Sequence, residues 1–201
     1  MRPSSKHPYG SPKETDMTTQ APKVAIITGS SRGIGASIAK RFAANGITVI
    51  VNYAGRAADA DQVVTDITEQ GGKAVAIQAD VSVPAQVAAL FDQAITLFGG
   101  VDILVNNAGI IQPGLTLLAD TDDSLFDRLV SINLKGTFNT MRVAAKKLRR
   151  GGRIVNFSST VKTLALPSYS GNFEVDGRGE VRSGIDANAT ESPASPVAAT
   201  F

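Results

Sequence analysis

The sequence has no cysteine, and its only histidine is His7. Without cysteine there is no disulfide, no thiol nucleophile and no Cys-based zinc site, and we expect no bound metal. A single histidine in a polar tail argues against a Ser–His–Asp mechanism. No apolar run reaches the ~18 residues of a membrane span, and the N-terminus lacks the apolar core of a signal peptide. We therefore expect a soluble cytoplasmic protein that does not bind membranes.

Charge of one sign is also scarce. The 201 residues include 20 Lys+Arg and 18 Asp+Glu, for a formal net charge of +2. No Lys/Arg stripe dominates, so we expect no nucleic-acid partner. The densest basic cluster ends a predicted helix, where cations oppose the negative end of the helix dipole; it comprises Lys146, Lys147, Arg149 and Arg150. Hydrophobic residues make up 43%, which predicts one globular domain with a sizeable core.

Strand-like and helix-like segments alternate through the middle of the chain. β-rich runs are followed in turn by segments of helical periodicity that end at Asn-Gly or Gly-Gly pairs. The alternation predicts an α/β fold, a Rossmann-like doubly wound parallel sheet covered by helices on both faces. The predicted strands are Val24–Thr28, Thr48–Asn52, Ala74–Gln78, Val101–Val105 and Arg153–Phe157, and the predicted helices are Ile34–Ala44, Ala57–Gln70, Pro84–Phe98 and Asp122–Leu148.

The two ends of the chain have a different character. Residues 1–22 are rich in Pro, Ser, Thr and Lys and are predicted to be disordered, and Met17 is an alternative start. Residues 171–201 have scattered apolar residues and no sustained period, which also predicts a disordered tail. The predicted domain is therefore residues 23–170.

A glycine-rich turn, Thr28–Gly35 (TGSSRGIG), joins the first strand to the first helix. Glycines permit a tight turn and let an anion approach the helix N-terminus, where bare N–H groups and the dipole favour negative charge. A P-loop needs Lys-Ser/Thr after its last glycine, whereas this turn continues Ile34-Gly35-Ala36. The strand before and the helix after favour a dinucleotide site over glycines that only shape a turn.

Several motifs in order along the chain resemble those of the short-chain dehydrogenase/reductase family. TGSSRGIG looks like its cofactor motif, and Asp80-Val81 stands where its acidic residue contacts adenine. Asn106–Gly109 reads NNAG, Asn133 matches the active-site asparagine, and GRIVNFSS at 152–159 matches the strand with the catalytic serine. The resemblance covers about Lys23 to Ser170 and implies strand order 3-2-1-4-5, with the later strands missing.

The resemblance implies a nicotinamide cofactor, and two positions favour NADP(H). An acidic residue at the end of the second strand accepts hydrogen bonds from the adenosine ribose in NAD-binding domains. We place that position at Asn52, which cannot repel a 2′-phosphate, and Arg32 matches the family's phosphate-binding cation, with Arg56 as a second candidate. The other expected cofactor-binding residues are Gly29, Ser31, Gly33, Ile34, Gly35, Asp80, Val81, Asn107, Ala108 and Gly109.

The family's chemistry is hydride transfer between nicotinamide and a carbonyl or alcohol carbon. The resemblance assigns the catalytic serine to Ser159, with Ser158 as the weaker choice, and the asparagine that holds a water to Asn133. A tyrosine and a lysine four residues later should follow, near position 172, but residue 172 is asparagine. Tyr169 is followed four residues later by Phe173, so no Tyr-x-x-x-Lys follows the serine.

These observations leave three interpretations open. The chain is an NADP-dependent carbonyl reductase by lineage, inactive here for want of the Tyr-x-x-x-Lys, or a non-catalytic nucleotide-binding module or defective gene product, or an interaction protein that uses its tail. The abrupt loss of resemblance suggests a changed reading frame or splice choice near Ser170–Gly171. Relatives form homo-oligomers through helices that include one missing here, so we expect an unstable, aggregation-prone product. The substrate, a small carbonyl or alcohol, is not specified by the sequence.

Overall fold

The structure, a computed structural model, describes residues 22–111 and 121–157, and the backbone of residues 173–175 and 181–183. Five strands form one parallel sheet in the order β3-β2-β1-β4-β5, which confirms the predicted doubly wound fold and its strand order. The strands are β1 Val24–Ile27, β2 Thr48–Tyr53, β3 Ala74–Gln78, β4 Val101–Asn106 and β5 Leu148–Asn156.

Helices cover both faces of the sheet and create two apolar layers. Side chains alternate along β1, so Ile26 faces one layer and Ile27 the other. Helices α1 and α2 pack over the Ile27 layer, and α3 and α5 over the Ile26 layer. The helices are α1 Gly33–Ala44, α2 Ala57–Glu69, α3 Pro84–Phe98, α4 Asp123–Leu129 and α5 Thr137–Lys147. The first three agree with the predicted helices to within one residue.

The fourth predicted helix, Asp122–Leu148, differs from the structure in its interior. A seven-residue π segment, Val130–Gly136, separates α4 from α5. A π segment bonds i to i+5 and so accommodates an extra residue in a helix, a feature that apolar periodicity does not reveal. The Asp122 carboxylate caps α4 by accepting from the Ser124 amide at 2.6 Å. Hydrogen bonds from the Ser124 side chain and then from its amide lower the pKa of Asp122.

Strand β5 begins at Leu148, five residues before the predicted start at Arg153. The stretch Leu148–Gly152 (LRRGG) has the composition of a helix end, but it pairs with β4 through Val101↔Leu148. The register then shifts between Val101 and Ile103, and Gly151 adopts φ +84°. A bulge of this kind absorbs the extra residues, so pairing with β4 overrides the local preference.

An ionic anchor closes the amino edge of the sheet. The Asp102 carboxylate accepts from the Val24 amide at 2.8 Å and from Arg149 Nη1 at 2.9 Å. Arg149 also donates to the Phe98 carbonyl, and the neighbouring Lys147 pairs with Asp92. Two members of the basic cluster therefore hold α5 and β5 against α3 and β4, a structural role.

Backbone described beyond residue 157 is limited to one short hairpin. Strands β6 Phe173–Val175 and β7 Val181–Ser183 pair antiparallel. They lie inside the segment 171–201, for which the pattern predicts disorder. The division of the chain into residues 1–22, 23–170 and 171–201 stays a prediction. Of the residues described, no helix is long and apolar enough to cross a membrane, and no three His, Asp or Glu side chains converge in a way that could hold a metal.

Candidate functional site

The glycine turn lies at the carboxyl edge of the sheet, between the end of β1 and the start of α1. Gly29 and Gly33 have φ +62° and +57°, in the left-handed region that favours glycine. In the described parts of the chain, no group accepts a hydrogen bond from the backbone amides of residues 31–35. They lie at and just before the N-terminus of a 12-residue helix, where free N–H groups and the helix dipole favour a phosphate.

Neighbouring atoms leave no room for a Cβ at Gly29 and Gly35, the first and last glycines of the motif. A Cβ on Gly29 would lie 2.8 Å from the Ala108 Cα, and a Cβ on Gly35 would lie 2.5 Å from the Asn107 Nδ2 and 2.8 Å from the Gly29 carbonyl oxygen. Gly33 differs, because a Cβ there would meet nothing within 4 Å. Gly29 and Gly35 are therefore in close contact with neighbouring backbone and with the NNAG segment, whereas the space next to Gly33 is open.

Two asparagine carboxamides grip the peptide groups of the turn from opposite sides. Asn107 Nδ2, at the end of β4, donates to the carbonyls of Thr28 and Gly29 at 2.9 and 3.0 Å. Asn52 Oδ1, at the end of β2, accepts from the Gly29 amide at 3.3 Å. The conformation that leaves residues 31–35 bare is thus held by side chains from both neighbouring strands.

Thr28, which the sequence analysis did not single out, connects the turn to NNAG. Its hydroxyl accepts from the amides of Asn107 and Ala108, both at 3.0 Å, and lies 3.3 Å from the Val105 carbonyl, to which it donates. One donor and two acceptor sites are then all used. The structure thereby brings Asn107 and Ala108 directly beside the turn, as the motif order predicts. In the sequence, the signal for this role was a threonine directly after the apolar run Val24–Ile27.

Asp80 and Val81 follow β3 at the same edge. The Asp80 carboxylate accepts from the Ser82 amide and hydroxyl at 2.8 and 2.7 Å, and the Asp80 amide donates to Gln86 Oε1 at 2.7 Å. Val81 is 5% exposed. A Cβ on Gly136, in the π segment, would lie only 2.6 Å from Val81 Cγ2. The loop is therefore fixed, with the Val81 side chain packed inward.

The two candidate phosphate-binding arginines have different surroundings. Arg32 is exposed, and its guanidinium makes no ion pair or hydrogen bond within the described residues. Arg56 Nη1 lies 3.4 Å from Asp59 Oδ2, in an exposed i,i+3 pair. Arg32 is therefore the cation available to a ligand at the turn.

Asn52 lies near the end of β2, as predicted, and its side chain points into the fold. It is 1% exposed, and its carboxamide bonds to Gly29, Ile77 and Ala79. Strand alternation turns the next side chain, Tyr53, the other way. The sequence analysis missed this internal role, although a carboxamide in an apolar strand was a usable signal.

Asn133 lies in the π segment and grips the residue after NNAG. Its Oδ1 accepts from the Ile110 amide and its Nδ2 donates to the Ile110 carbonyl, both at 2.9 Å. The Asn133 carbonyl accepts from the Thr137 hydroxyl at 3.0 Å. The side chain therefore fixes the loop after β4, and these two bonds use one of its two N–H donors and one of its two acceptor sites.

Strand β5 carries the chain toward the expected serine. Asn156 Oδ1 accepts from Asn106 Nδ2 at 2.8 Å, and Asn106 Oδ1 accepts from the Thr140 hydroxyl at 2.7 Å. These bonds tie the end of β5 to β4 and α5. Ser158, Ser159, Tyr169, Asn172 and the substrate-side stretch 112–118 lie outside the described residues. The spacing Tyr-x-x-x-Lys does occur at Tyr9–Lys13, ahead of β1 and also outside them.

A family model described as short chain dehydrogenase matches residues 23–171, nearly the range of the resemblance noted above. An uncharacterized oxidoreductase of Methylorubrum extorquens is 43% identical over 152 residues, covering 74% of this chain and 60% of the relative. A short chain dehydrogenase of Passalora fulva is 44% identical over 149 residues, covering 74% of this chain and 55% of the relative. The chain thus spans little more than half the length of these curated relatives.

Solved structures show the same architecture. A short chain dehydrogenase from Burkholderia cenocepacia in complex with NADP is 41% identical, with a TM-score of 0.68, and the match covers 73% of this chain and 59% of that one. A dehydrogenase/reductase from Sinorhizobium meliloti is 38% identical, with a TM-score of 0.71, and the match covers 75% of this chain and 60% of that one.

Proposed function

Because the chain belongs to the short chain dehydrogenase family, whose members are oxidoreductases that use a nicotinamide cofactor, we propose that it binds NADP(H) at the glycine turn. In this proposal residues 23–157 form the nucleotide-binding half of an enzyme that reduces a carbonyl to an alcohol. The observation that carries it is the row of unpartnered amides at residues 31–35, at the start of α1. The open space outside Gly33 leaves room for a diphosphate.

Arg32 supports a preference for NADP(H) over NAD(H). Its guanidinium is exposed and unpaired among the described residues, so a 2′-phosphate would gain a bidentate partner without breaking an ion pair. The residues that follow Asn52 at the strand end are Tyr53, Ala54 and Gly55, none of them acidic. The Burkholderia cenocepacia relative is itself described as an NADP complex.

The proposed chemistry assigns these residues separate tasks. The bound nicotinamide would supply or accept the hydride. Asn133 holds the loop after NNAG in place through two hydrogen bonds to Ile110. In this proposal that loop lies beside the reacting groups. Ser159 is proposed to hydrogen-bond the substrate oxygen. Proton transfer assistance of the kind Tyr-x-x-x-Lys gives is worth ~10²–10⁴ in rate, and no such pair follows Ser159.

We therefore propose that this chain binds the nucleotide but does not turn over substrate alone. The alternative, an active carbonyl reductase, rests on family membership. Titration with NADPH and NADH, followed by nucleotide fluorescence, tests binding, and oxidation of NADPH in the presence of a generic diketone tests turnover. We expect saturable binding with NADPH preferred and no diketone-dependent rate. Absence of binding to either nucleotide would refute the proposal, and turnover would support the alternative.

A further inference from the structure

The carboxamide of Asn52 bonds to three backbone groups on two separate segments, the glycine turn and the end of β3. Nδ2 donates to the carbonyls of Ile77 and Ala79 at 3.2 and 3.0 Å, and Oδ1 accepts from the Gly29 amide at 3.3 Å. The side chain is buried, so water does not compete for these bonds. Both donors of the amide and one acceptor site are used.

The backbone of the same residue adds a fourth connection. The Ser30 amide donates to the Asn52 carbonyl at 2.9 Å. Residue 52 therefore holds two successive amides of the turn, at 29 and 30, and the bare amides begin at Ser31. On its other side, Ala79 leads directly into Asp80 and Val81, the second part of the expected nucleotide site.

We propose that Asn52 is a positioning residue for nucleotide binding, which holds the glycine turn and the exit of β3 at a fixed separation. The inference rests on the proposed function. It assigns Asn52 no contact with the nucleotide and no part in the choice between NADP(H) and NAD(H). Loss of its carboxamide should weaken the binding of both nucleotides by the same factor.

Asn52→Asp separates this role from cofactor selection. A carboxylate keeps the size of the side chain and can still accept from Gly29, but it faces the carbonyls of Ile77 and Ala79 with no proton to donate. If Asn52 selected the cofactor, an acidic residue there would favour NADH. If it positions the site, both affinities fall and their ratio stays constant.

The experiment compares four variants with the wild-type chain. Asn52→Ala and Asn52→Asp remove the donors, and Arg32→Ala removes the exposed cation. Ile67→Ala, in the α2 core layer and 2% exposed, supplies a destabilised control with an unaltered turn. Dissociation constants for NADPH and NADH are measured for each, and amide hydrogen exchange is followed at Gly29 and Ser30.

We expect both Asn52 variants to weaken both nucleotides roughly tenfold, the lower end of the loss seen when an orienting hydrogen bond is removed at metal sites. Arg32→Ala should weaken NADPH alone, and Ile67→Ala neither. Exchange at Gly29, relative to β1 amides of the same protein, should rise in Asn52→Ala, which loses the acceptor, and should not change in Arg32→Ala or Ile67→Ala.

Two results would overturn the inference while leaving the proposed function intact. One is wild-type affinity for both nucleotides in Asn52→Ala, with or without faster exchange at Gly29. The other is a changed NADPH/NADH ratio in Asn52→Asp. Absence of nucleotide binding by the wild-type chain would instead refute the proposed function, and the role of Asn52 with it.

Discussion

The two edge strands of the sheet, β3 and β5, differ in how far their apolar side chains are buried. One row of paired residues across the sheet shows the difference. Val75, Ile50, Ile26, Leu104 and Ile154 lie side by side across the five strands. The three middle members are fully buried, and Val75 at one edge is half-buried against the α3 layer. Ile154, at the other edge, is 40% exposed. The next row ends in the same way, at Val155, which is 45% exposed.

The β3 flank is closed by its own helices. Lys40 of α1 and Asp66 of α2 are joined at 2.6 Å, and Lys73 lies over the Phe98 ring at 5.1 Å. At the β5 flank α5 packs against the strand, but the side chains of Ile154 and Val155 stay 40% and 45% exposed. The sheet therefore has a well-packed apolar core at its β3 side, whereas its β5 side presents exposed apolar side chains of the kind found at contact surfaces.

The largest expected effect distinguishes the buried middle of this row, Ile26, from its exposed end at β5, Ile154. Ile26→Ala should destabilise the fold by about 2–5 kcal/mol, because it leaves a cavity between β1 and the α3 layer. The same change at Ile154 should cost less than about 1 kcal/mol. Urea unfolding of both variants measures the difference. Equal losses would show that the β5 flank is covered in solution.

The glycine turn between β1 and α1 is tightly packed at Gly35. Gly35→Ala should destabilise the chain by about 1–3 kcal/mol through overpacking, since the new methyl would lie 2.5 Å from Asn107 Nδ2. Gly55→Ala is the matched control, because a Cβ there meets nothing within 4 Å. Thermal unfolding of the pair decides. A Gly35→Ala protein as stable as the control would mean that Asn107 moves aside without loss.

A third prediction tests whether the β5 flank drives self-association. Ile154→Lys combined with Val155→Lys should reduce concentration-dependent light scattering, because lysines on an edge strand oppose pairing. Stability should change by no more than about 1 kcal/mol. Val51→Lys, in the same row as Val155 but fully buried, should unfold the protein. If the double variant scatters as much light as the wild type, self-association does not depend on Ile154 and Val155.

The smallest effect belongs to the ion pair on the closed flank. The hydrogen bond from Lys40 lowers the pKa of Asp66 below 3.8, with a second contribution from Gln62. A lowered folded-state pKa stabilises the fold above the unfolded value, and this contribution is lost as pH falls through the folded value. Asp66→Asn should therefore lower Tm slightly at neutral pH and leave it unchanged in strong acid. A Tm difference that persists in strong acid would contradict the electrostatic origin.

Sequence reasoning located the strands and the turn because their signals are local. Val24–Ile27 is continuously apolar, as a strand buried on both faces must be, and Gly29, Gly33 and Gly35 mark the corner. Where partners lie far apart in sequence, it did less well. Leu148–Gly152 becomes strand only by pairing with β4. The π segment, whose Gly136 lies close to Val81, leaves no mark in the apolar periodicity.

The polar side chains of the site were harder still to interpret. The sequence predicts site roles for Asn52, Asn107 and Asn133, but a motif position does not say which way an amide points. The contacts of Asn52 are 23 to 27 residues away, and those of Asn133 are 23 away. Their internal roles therefore depend on the assembled sheet.

The Asp102 anchor has a practical consequence for handling the protein. It holds the Val24 amide at the amino edge, whereas the glycine turn follows Ile27 at the carboxyl edge, about 13 Å away along a four-residue strand. Lys23, which is exposed, precedes β1 and thus lies at the edge of the sheet remote from the turn. A fluorophore or affinity tag attached at Lys23 is expected to leave the glycine turn accessible, so immobilised material can be titrated directly with nucleotide.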